Sequence, residues 1–179
     1  MNALADPRVG DYVNDHCVCA FQKVGTFKVV NGQKPGGNVA TYFCLADGKT
    51  MHTIAGPVDA GTFLKEARWV VELRKLALFE ARGNTARYRE IIRHAHLDRL
   101  KQEYGIDLVA QVNGWQQPGA MQPFTAGPWS KIVLRGADKQ SQVHTLLAYY
   151  PLAKIETIYK YVFEKILGEK ISTLPVEEK

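Results

Sequence analysis

The segment from Asp59 to Ala81 constrains the fold most, because it predicts a long helix that is apolar on two sides. Asp59 can cap its N-terminus, and the helical pattern then runs from Ala60 to about Ala81. At about 100° per residue, one face holds Phe63, Ala67, Val70, Ala77 and Leu78, and a neighbouring face holds Trp69, Leu73 and Leu76. Both faces need a cover. We expect a sheet on the first face. On the second we expect either C-terminal helices or another copy of the chain, which would give a homodimer through Trp69, Leu73 and Leu76.

A β-hairpin is predicted just before this helix. Residues 39–45 and 50–55 are rich in β-branched and aromatic side chains, and Asp47-Gly48 between them is a strong turn signal. Residues 17–21 form another apolar run of strand length. The sequence therefore predicts an antiparallel pair and one further short strand.

Helices dominate the prediction for the second half of the chain. Asn84 can cap a helix that ends at Tyr104, with Gly105 in the position that stops it. Residues 106–112 and 131–135 are possible short strands, and the stretch between them, rich in Gly, Pro and Gln, predicts a loop. Two more helices, residues 140–150 and 154–167, are separated by Pro151. We expect a core with an extra helix (1–104), a loop-rich connection (105–135) and a helical extension (136–179).

Composition places the chain among globular proteins. Its 179 residues are 46% hydrophobic and 23% charged, which excludes disorder, collagen and coiled coil as global descriptions. It has no apolar run of membrane-spanning length, and residues 1–10 lack the apolar core of a signal peptide. We therefore expect a cytoplasmic protein without a membrane partner. The net charge of +5 is a modest basic excess, which does not favour nucleic-acid binding.

Three groups of residues carry a resemblance to a known fold family. They are residues 6–9 with 12–18 at the end of a short helix and the strand after it, residues 40–49 from a strand into the hairpin, and residues 54–56, 59–60 and 63–64 at the closing glycine and the start of the long helix. In this order they resemble a thioredoxin-like domain over roughly residues 5–81. The resemblance implies an α/β protein with a thioredoxin-like core, incomplete at its N-terminus, and a helical C-terminal extension.

The departures from this family concern its chemistry. The chain has no Cys-x-x-Cys motif, and Ala40 stands where the family has a cis-proline. The resemblance therefore implies a domain without the usual thiol–disulfide chemistry. We expect a non-catalytic binding or structural module with an unidentified protein partner and no cofactor.

Cys17 and Cys19 are the alternative source of chemistry. Two positions apart on a strand, their side chains share a face, and parallel Cβ vectors suit a disulfide poorly. Buried free thiols are the favoured interpretation. The open alternatives are a thiol-redox pair, which would make the chain a redox protein or sensor, and a metal site that adds His16 with Cys44 or His52.

The other histidines do not predict a metal site. His94 and His96 are two residues apart on a predicted helix, so they diverge by about 200°. His144 has no recognisable partner, and His52 in the hairpin is expected to be at the surface or half-buried. We therefore expect no metal ion.

Two surfaces remain as candidate binding sites. Arg89, Arg93 and His96 share one arc of the basic helix 85–104 and could contact phosphates or an acidic protein, although a solvated helix face is favoured. Weak nucleic-acid binding through this helix is thus a second functional alternative. Trp115 and Trp129 lie in the predicted loop and would form a binding surface if exposed, although folding back onto the core is favoured.

Overall fold

The computed structural model describes residues 3–24, 28–29, 39–114, 138–171 and 177–178, and shows a mixed α/β protein with an antiparallel hairpin. The element order is α1 Pro7–His16, β1 Lys28–Val29, β2 Ala40–Cys44, β3 Thr50–Ala55, α2 Ala60–Ala81, α3 Thr85–Tyr104, α4 Val109–Asn113, α5 Lys139–Tyr149, α6 Ile155–Tyr161 and β4 Glu177–Glu178. None of the helices in these ranges is long and apolar enough to cross a membrane.

The predicted hairpin is confirmed. β2 pairs antiparallel with β3, with Phe43 opposite His52 and an irregularity after Phe43. Gly48 has a φ of 78°, which the turn requires and glycine tolerates without strain. Residues 50–54 of β3 are all buried, because helices cover both faces of this strand. A separate parallel pair joins β1 to β4.

The long helix α2 begins and ends where the sequence predicts. The Asp59 carboxylate accepts hydrogen bonds from the backbone N–H and the hydroxyl of Thr62, at 3.0 and 2.7 Å. The expected sheet-facing residues are buried except Leu78, which is 52% exposed, so its placement on that face was wrong. Position 78 lies at a different angle around the helix axis, away from the short two-stranded sheet.

The second apolar face of α2 is covered within the chain itself. Helix α3 packs along α2, and Leu73 is buried beside Met51 and Ile92. Trp69 is half-buried and Leu76 remains exposed. Homodimerisation through these residues stays a prediction, with only Leu76 of the three fully available on the surface.

Helix α3 confirms its predicted caps. Asn84 accepts a hydrogen bond from the Arg87 N–H at 3.0 Å. At the other end, Gly105 has a φ of 68°, and the Ile106 N–H donates to the Leu100 carbonyl at 3.0 Å, which closes the helix as expected.

Two predicted strands are wrong. Residues 106–112 form a loop and the short helix α4, where the Asp107 carboxylate accepts a hydrogen bond from the Val109 N–H and so favours a turn. Residues 17–21 form no strand, because no described segment lies alongside to supply a ladder; Val18 and Phe21 are exposed. The predicted strand 131–135 lies outside the described residues.

The C-terminal helices close the main core. Asp138 caps α5, and α6 follows the break at Pro151 and continues as a π-helical segment, Val162–Leu167. Helix α5 packs against both α3 and β3, so the predicted extension is in contact with the hairpin. All described peptide bonds are trans, including the one that precedes Ala40. The finer expectation of a thioredoxin-like core stays a prediction.

Candidate metal centre

Three histidines from distant parts of the chain meet in the interior. His52 comes from β3, His96 from α3 and His144 from α5, and each has no exposed surface. One nitrogen of each ring lies within 4.8 Å of the corresponding nitrogen of the other two. This is the group of potential metal ligands that the described part of the chain offers.

Local structure explains why these rings point inward. His96 lies four residues from both Ile92 and Leu100, which are fully buried on the same stripe of α3. His144 lies beside Val143 and one turn before Ala148 on α5, a helix buried over most of its length. His52 lies in the middle of β3, which is covered on both faces.

These positions correct three expectations. His52 is fully buried rather than at the surface, because α5 and α2 cover both faces of its strand. His96 is absent from the exposed arc of α3, because α5 packs on that side of the helix. His144 has a partner, which is His96. The predicted divergence of the His-x-His pair is confirmed, since His94 is exposed and contacts Glu90.

The hydrogen bonds fix which nitrogens carry protons. His96 Nε2 lies 2.9 Å from the carbonyl oxygen of Met51, so this nitrogen is the donor. His96 Nδ1 therefore carries a lone pair, and it accepts a hydrogen bond from His144 Nδ1 at 2.8 Å. His52 Nε2 lies 3.0 Å from a Glu66 carboxylate oxygen, so it donates as well.

Two lone pairs are left over. His144 Nε2 and His52 Nδ1 are buried and hydrogen-bond to no group in the described part of the chain. A buried polar atom without a partner costs about 1–3 kcal/mol. The three rings cannot remove this cost among themselves, because the remaining atoms are acceptors.

A buried ion-pair network holds His52 in place. Glu66 on α2 accepts two hydrogen bonds from the Arg99 guanidinium, and Arg99 also donates to Glu103 at 2.9 Å. Burial raises the pKa of Glu66, but hydrogen bonds from His52 and Arg99 outweigh it and bring the pKa to about 2. Glu66 is therefore a carboxylate, paired with the Arg99 guanidinium.

The three histidines are neutral at neutral pH. Burial lowers the pKa of His96 to about 3, with the charge of His52 as the next cause. Burial also lowers the pKa of His144 well below its usual value, and lowers that of His52 against the opposing effect of Glu66. Neutral imidazole is the form that binds metal ions.

Trp69 forms the aromatic wall of this cluster. Its ring stands edge-on to His52, His96 and His144, with centroids 4.9, 5.4 and 5.8 Å away. The guanidinium carbon of Arg99 lies 4.5 Å from the centre of the Trp69 ring. Trp69 is partly exposed, so it reaches from the buried rings to the surface.

The predicted basic arc is not assembled. His96 is buried, and Arg93 donates to the Ala148 carbonyl at 3.3 Å and to Glu90 at 2.9 Å. Arg89 lies on the same helix and is half-buried. Trp115 and Trp129 lie outside the described residues, so that candidate surface stays a prediction.

The cysteines are more accessible than expected. Cys17 is half-buried and Cys19 is exposed, because residues 17–24 form no covered strand, and Cys44 is exposed at the end of β2. None of them belongs to a potential metal-ligand group in the part of the chain that the structure describes. Burial and the neighbouring Cys19 raise the pKa of Cys17, which disfavours the reactive thiolate.

Sequence reasoning missed the cluster because its members are 44 and 48 residues apart. A usable signal was present: two histidines stand on otherwise apolar helix stripes, and one stands between Met51 and Ile54 in a strand. Comparisons of the chain with protein-family models, with curated proteins and with solved structures find no match.

Proposed function

We propose that this chain binds one divalent transition-metal ion of the zinc class through His52, His96 and His144. The observation that carries the proposal is the meeting of three fully buried imidazoles, whose ligand nitrogens lie within 4.8 Å of one another and one of which, His52, holds a lone pair on Nδ1 that no described protein group satisfies. Imidazole nitrogen suits zinc, copper, iron and nickel. A cation at the centre of the three rings would satisfy the buried lone pair of His52 Nδ1.

The surroundings of the rings support the proposal. Metal-binding histidines commonly donate their second nitrogen to a carboxylate or a backbone carbonyl, which fixes the ring and its tautomer. Here His52 donates to Glu66 and His96 donates to the Met51 carbonyl. Each of these rings thereby carries an unprotonated Nδ1, which has no described partner in His52 and accepts the hydrogen bond from His144 in His96.

Metal binding requires a small rearrangement at His144. Its Nδ1 now lies 2.8 Å from His96 Nδ1 in a hydrogen bond. Metal–nitrogen distances of about 2.0–2.1 Å place two tetrahedral ligand atoms about 3.3 Å apart. The two rings therefore separate by about half an ångström, and the proton on His144 moves to its other nitrogen.

The ion would join parts of the chain that are distant in sequence. It connects the hairpin to α3 and α5, so it favours the folded state over the unfolded state by mass action. A stabilising metal ion of this kind would fit the sequence-based expectation of a binding or structural module. The thioredoxin-like character of that module stays a prediction.

The test is a zinc titration of chelator-treated protein against a chromophoric competitor. We expect one Zn²⁺ per chain for the wild type and at least a 100-fold weaker affinity for His96→Gln and His144→Gln. His94→Gln is the matched control, since His94 lies on the same helix but is exposed. At 100 times the dissociation constant, Zn²⁺ should add about 2.7 kcal/mol and raise the Tm by about 5–10 °C.

Circular dichroism of each variant separates loss of the site from loss of the fold. A wild type that binds no Zn²⁺, or folded His96 and His144 variants that bind as tightly as the wild type, would overturn the proposal.

A further inference from the structure

We infer that a metal ion held by His52, His96 and His144 keeps a fourth coordination position that no side chain of the described residues fills, and that this position takes water or a small anion. The inference rests on the proposed function and deepens it. Structural zinc sites are closed by four protein ligands, whereas three protein ligands and one exchangeable ligand are typical of sites that act on small molecules.

The sequence itself limits the supply of a fourth ligand. All five histidines and all three cysteines lie among the described residues, and the cluster takes in only three of them. The undescribed stretches 25–27, 30–38, 115–137 and 172–176 contain no His, Cys, Asp or Glu. Beyond the carboxylates that the structure places elsewhere, only the side chains of Glu177 and Glu178 are left undescribed.

The nearest carboxylate is committed to other partners. Glu66 reaches His52 at Nε2, the nitrogen that does not face the other two rings, and both of its oxygens accept hydrogen bonds from Arg99. If Glu66 moved to the metal, the buried Arg99 guanidinium would lose its two hydrogen bonds to Glu66. Glu66 therefore acts as a positioning residue for His52 rather than as a fourth ligand.

The space around the rings limits the size of the exchangeable ligand. Trp69 stands edge-on to all three rings with centroid distances under 6 Å, and Tyr104 lies 6.2 Å from His144. These distances limit an exchangeable ligand to the size of a water molecule, a hydroxide or an anion of a few atoms. The positive charge of the metal ion favours the anion.

Trp69 is also the route by which such a ligand reaches the site. It is the side chain that contacts all three rings and is itself partly exposed. A change of its side-chain rotamer would open the cluster to solvent without unfolding a helix. Replacing Trp69 with a smaller side chain should therefore speed ligand exchange at an otherwise similar site.

The experiment uses Co²⁺ as a visible substitute for zinc and sodium azide as the small anion. Co²⁺ is added to the metal-free full-length chain, the visible absorption bands are recorded, and azide is then titrated in. We expect bands of a four-coordinate ion that azide shifts saturably, with His94→Gln giving the same result. The Trp69→Phe variant should reach the same final spectrum several-fold faster.

The possible failures are distinguishable. If Co²⁺ produces no bands in the wild type, the proposed metal binding itself fails. If the bands appear but azide leaves them unchanged, while free Co²⁺ under the same conditions responds, the fourth position is closed and the inference is overturned although metal binding stands.

Discussion

Two regions of this chain offer ligand residues in a similar sequence pattern, and the structure treats them in opposite ways. Cys17 and Cys19 in the N-terminal segment and His94 and His96 on α3 are both pairs separated by one residue. The cysteine pair lies in an uncovered segment, and its members contact no third ligand in the described chain. The histidine pair splits, and one member joins two rings from β3 and α5.

The difference shows that burial, rather than spacing, selects the candidate site. His96 gains its partners because α5 packs on the face of α3 that carries it. No described helix packs on Cys17 and Cys19 in this way, and neither thiol is fully buried.

The largest effect on the free energy of unfolding is expected from the buried ion pair between Glu66 and Arg99. Arg99→Ala leaves the Glu66 carboxylate buried without its main partner, and such a loss costs about 3–5 kcal/mol. Lys65→Ala is the control, because Lys65 is 63% exposed and contacts only Glu103 of the same network. The control should cost less than about 1 kcal/mol. Urea denaturation of the metal-free chain gives both values.

Arg99→Lys provides a variant that keeps the charge but loses the two-pronged contact. It should lie between the wild type and Arg99→Ala in stability. Equal effects of Arg99→Ala and Lys65→Ala would mean that the network stabilises the buried region no more than a surface ion pair does.

The next effect is a dependence of stability on pH in the metal-free chain. In the folded state burial lowers the pKa of all three histidines below the ordinary 6.5. Below pH 6.5 these histidines therefore bind protons in the unfolded chain but stay neutral in the folded chain. The free energy of unfolding therefore has its full value, as far as these histidines are concerned, above about pH 6.5. It falls as the pH decreases below 6.5, by up to about 1.4 kcal/mol per pH unit for each histidine.

Denaturation between about pH 5 and 7.5 measures this slope. His144→Leu should flatten it, because one of the three suppressed protonations is removed, while His94→Gln should leave it unchanged. A wild-type stability that stays level over this range would show that the rings are not held neutral.

A smaller effect is expected from the residue that orients His52. Glu66→Gln keeps a hydrogen-bond acceptor for His52 Nε2 but removes the charge, and substitutions of this kind typically weaken metal affinity about 10–100-fold. Glu72→Gln is the control on the same helix, because Glu72 is 70% exposed and pairs with Lys75. Competition titration with Zn²⁺ compares the two. Equal affinities would assign Glu66 to the fold alone.

The smallest effect is expected at the thiols. The double substitution Cys17→Ser with Cys19→Ser should change the free energy of unfolding by less than about 0.5 kcal/mol, since neither thiol is fully buried. It should also leave the zinc stoichiometry at one. Loss of zinc from this variant would move the metal site to the N-terminal region and reverse the comparison.

Structural features that depend only on residues close together in the sequence could be predicted from it. Asp59 and Asn84 cap helices, Gly105 ends one and Asp47-Gly48 turns the hairpin, because each acts within a few residues of itself. The strand expected at 17–21 failed for the opposite reason: a strand needs a neighbour, and that neighbour is set by the tertiary fold.

The candidate site could not be predicted because its geometry is entirely tertiary. The sequence predicts His52 near the surface, since no residue pattern in the hairpin indicates that α5 covers it. His96 was assigned to a basic arc, although Ile92 and Leu100 on the same stripe indicated the buried side of α3. The pairing of His96 with His144 depends on how two helices far apart in sequence pack together.

X-ray absorption at the zinc edge of the zinc-loaded chain distinguishes nitrogen from sulfur ligands and so tests whether the three histidines hold the metal. We expect three imidazole nitrogens at about 2.0–2.1 Å and one further light atom, with no sulfur. A sulfur ligand at about 2.3 Å, or fewer than two imidazoles in the outer shells, would contradict a site built from His52, His96 and His144.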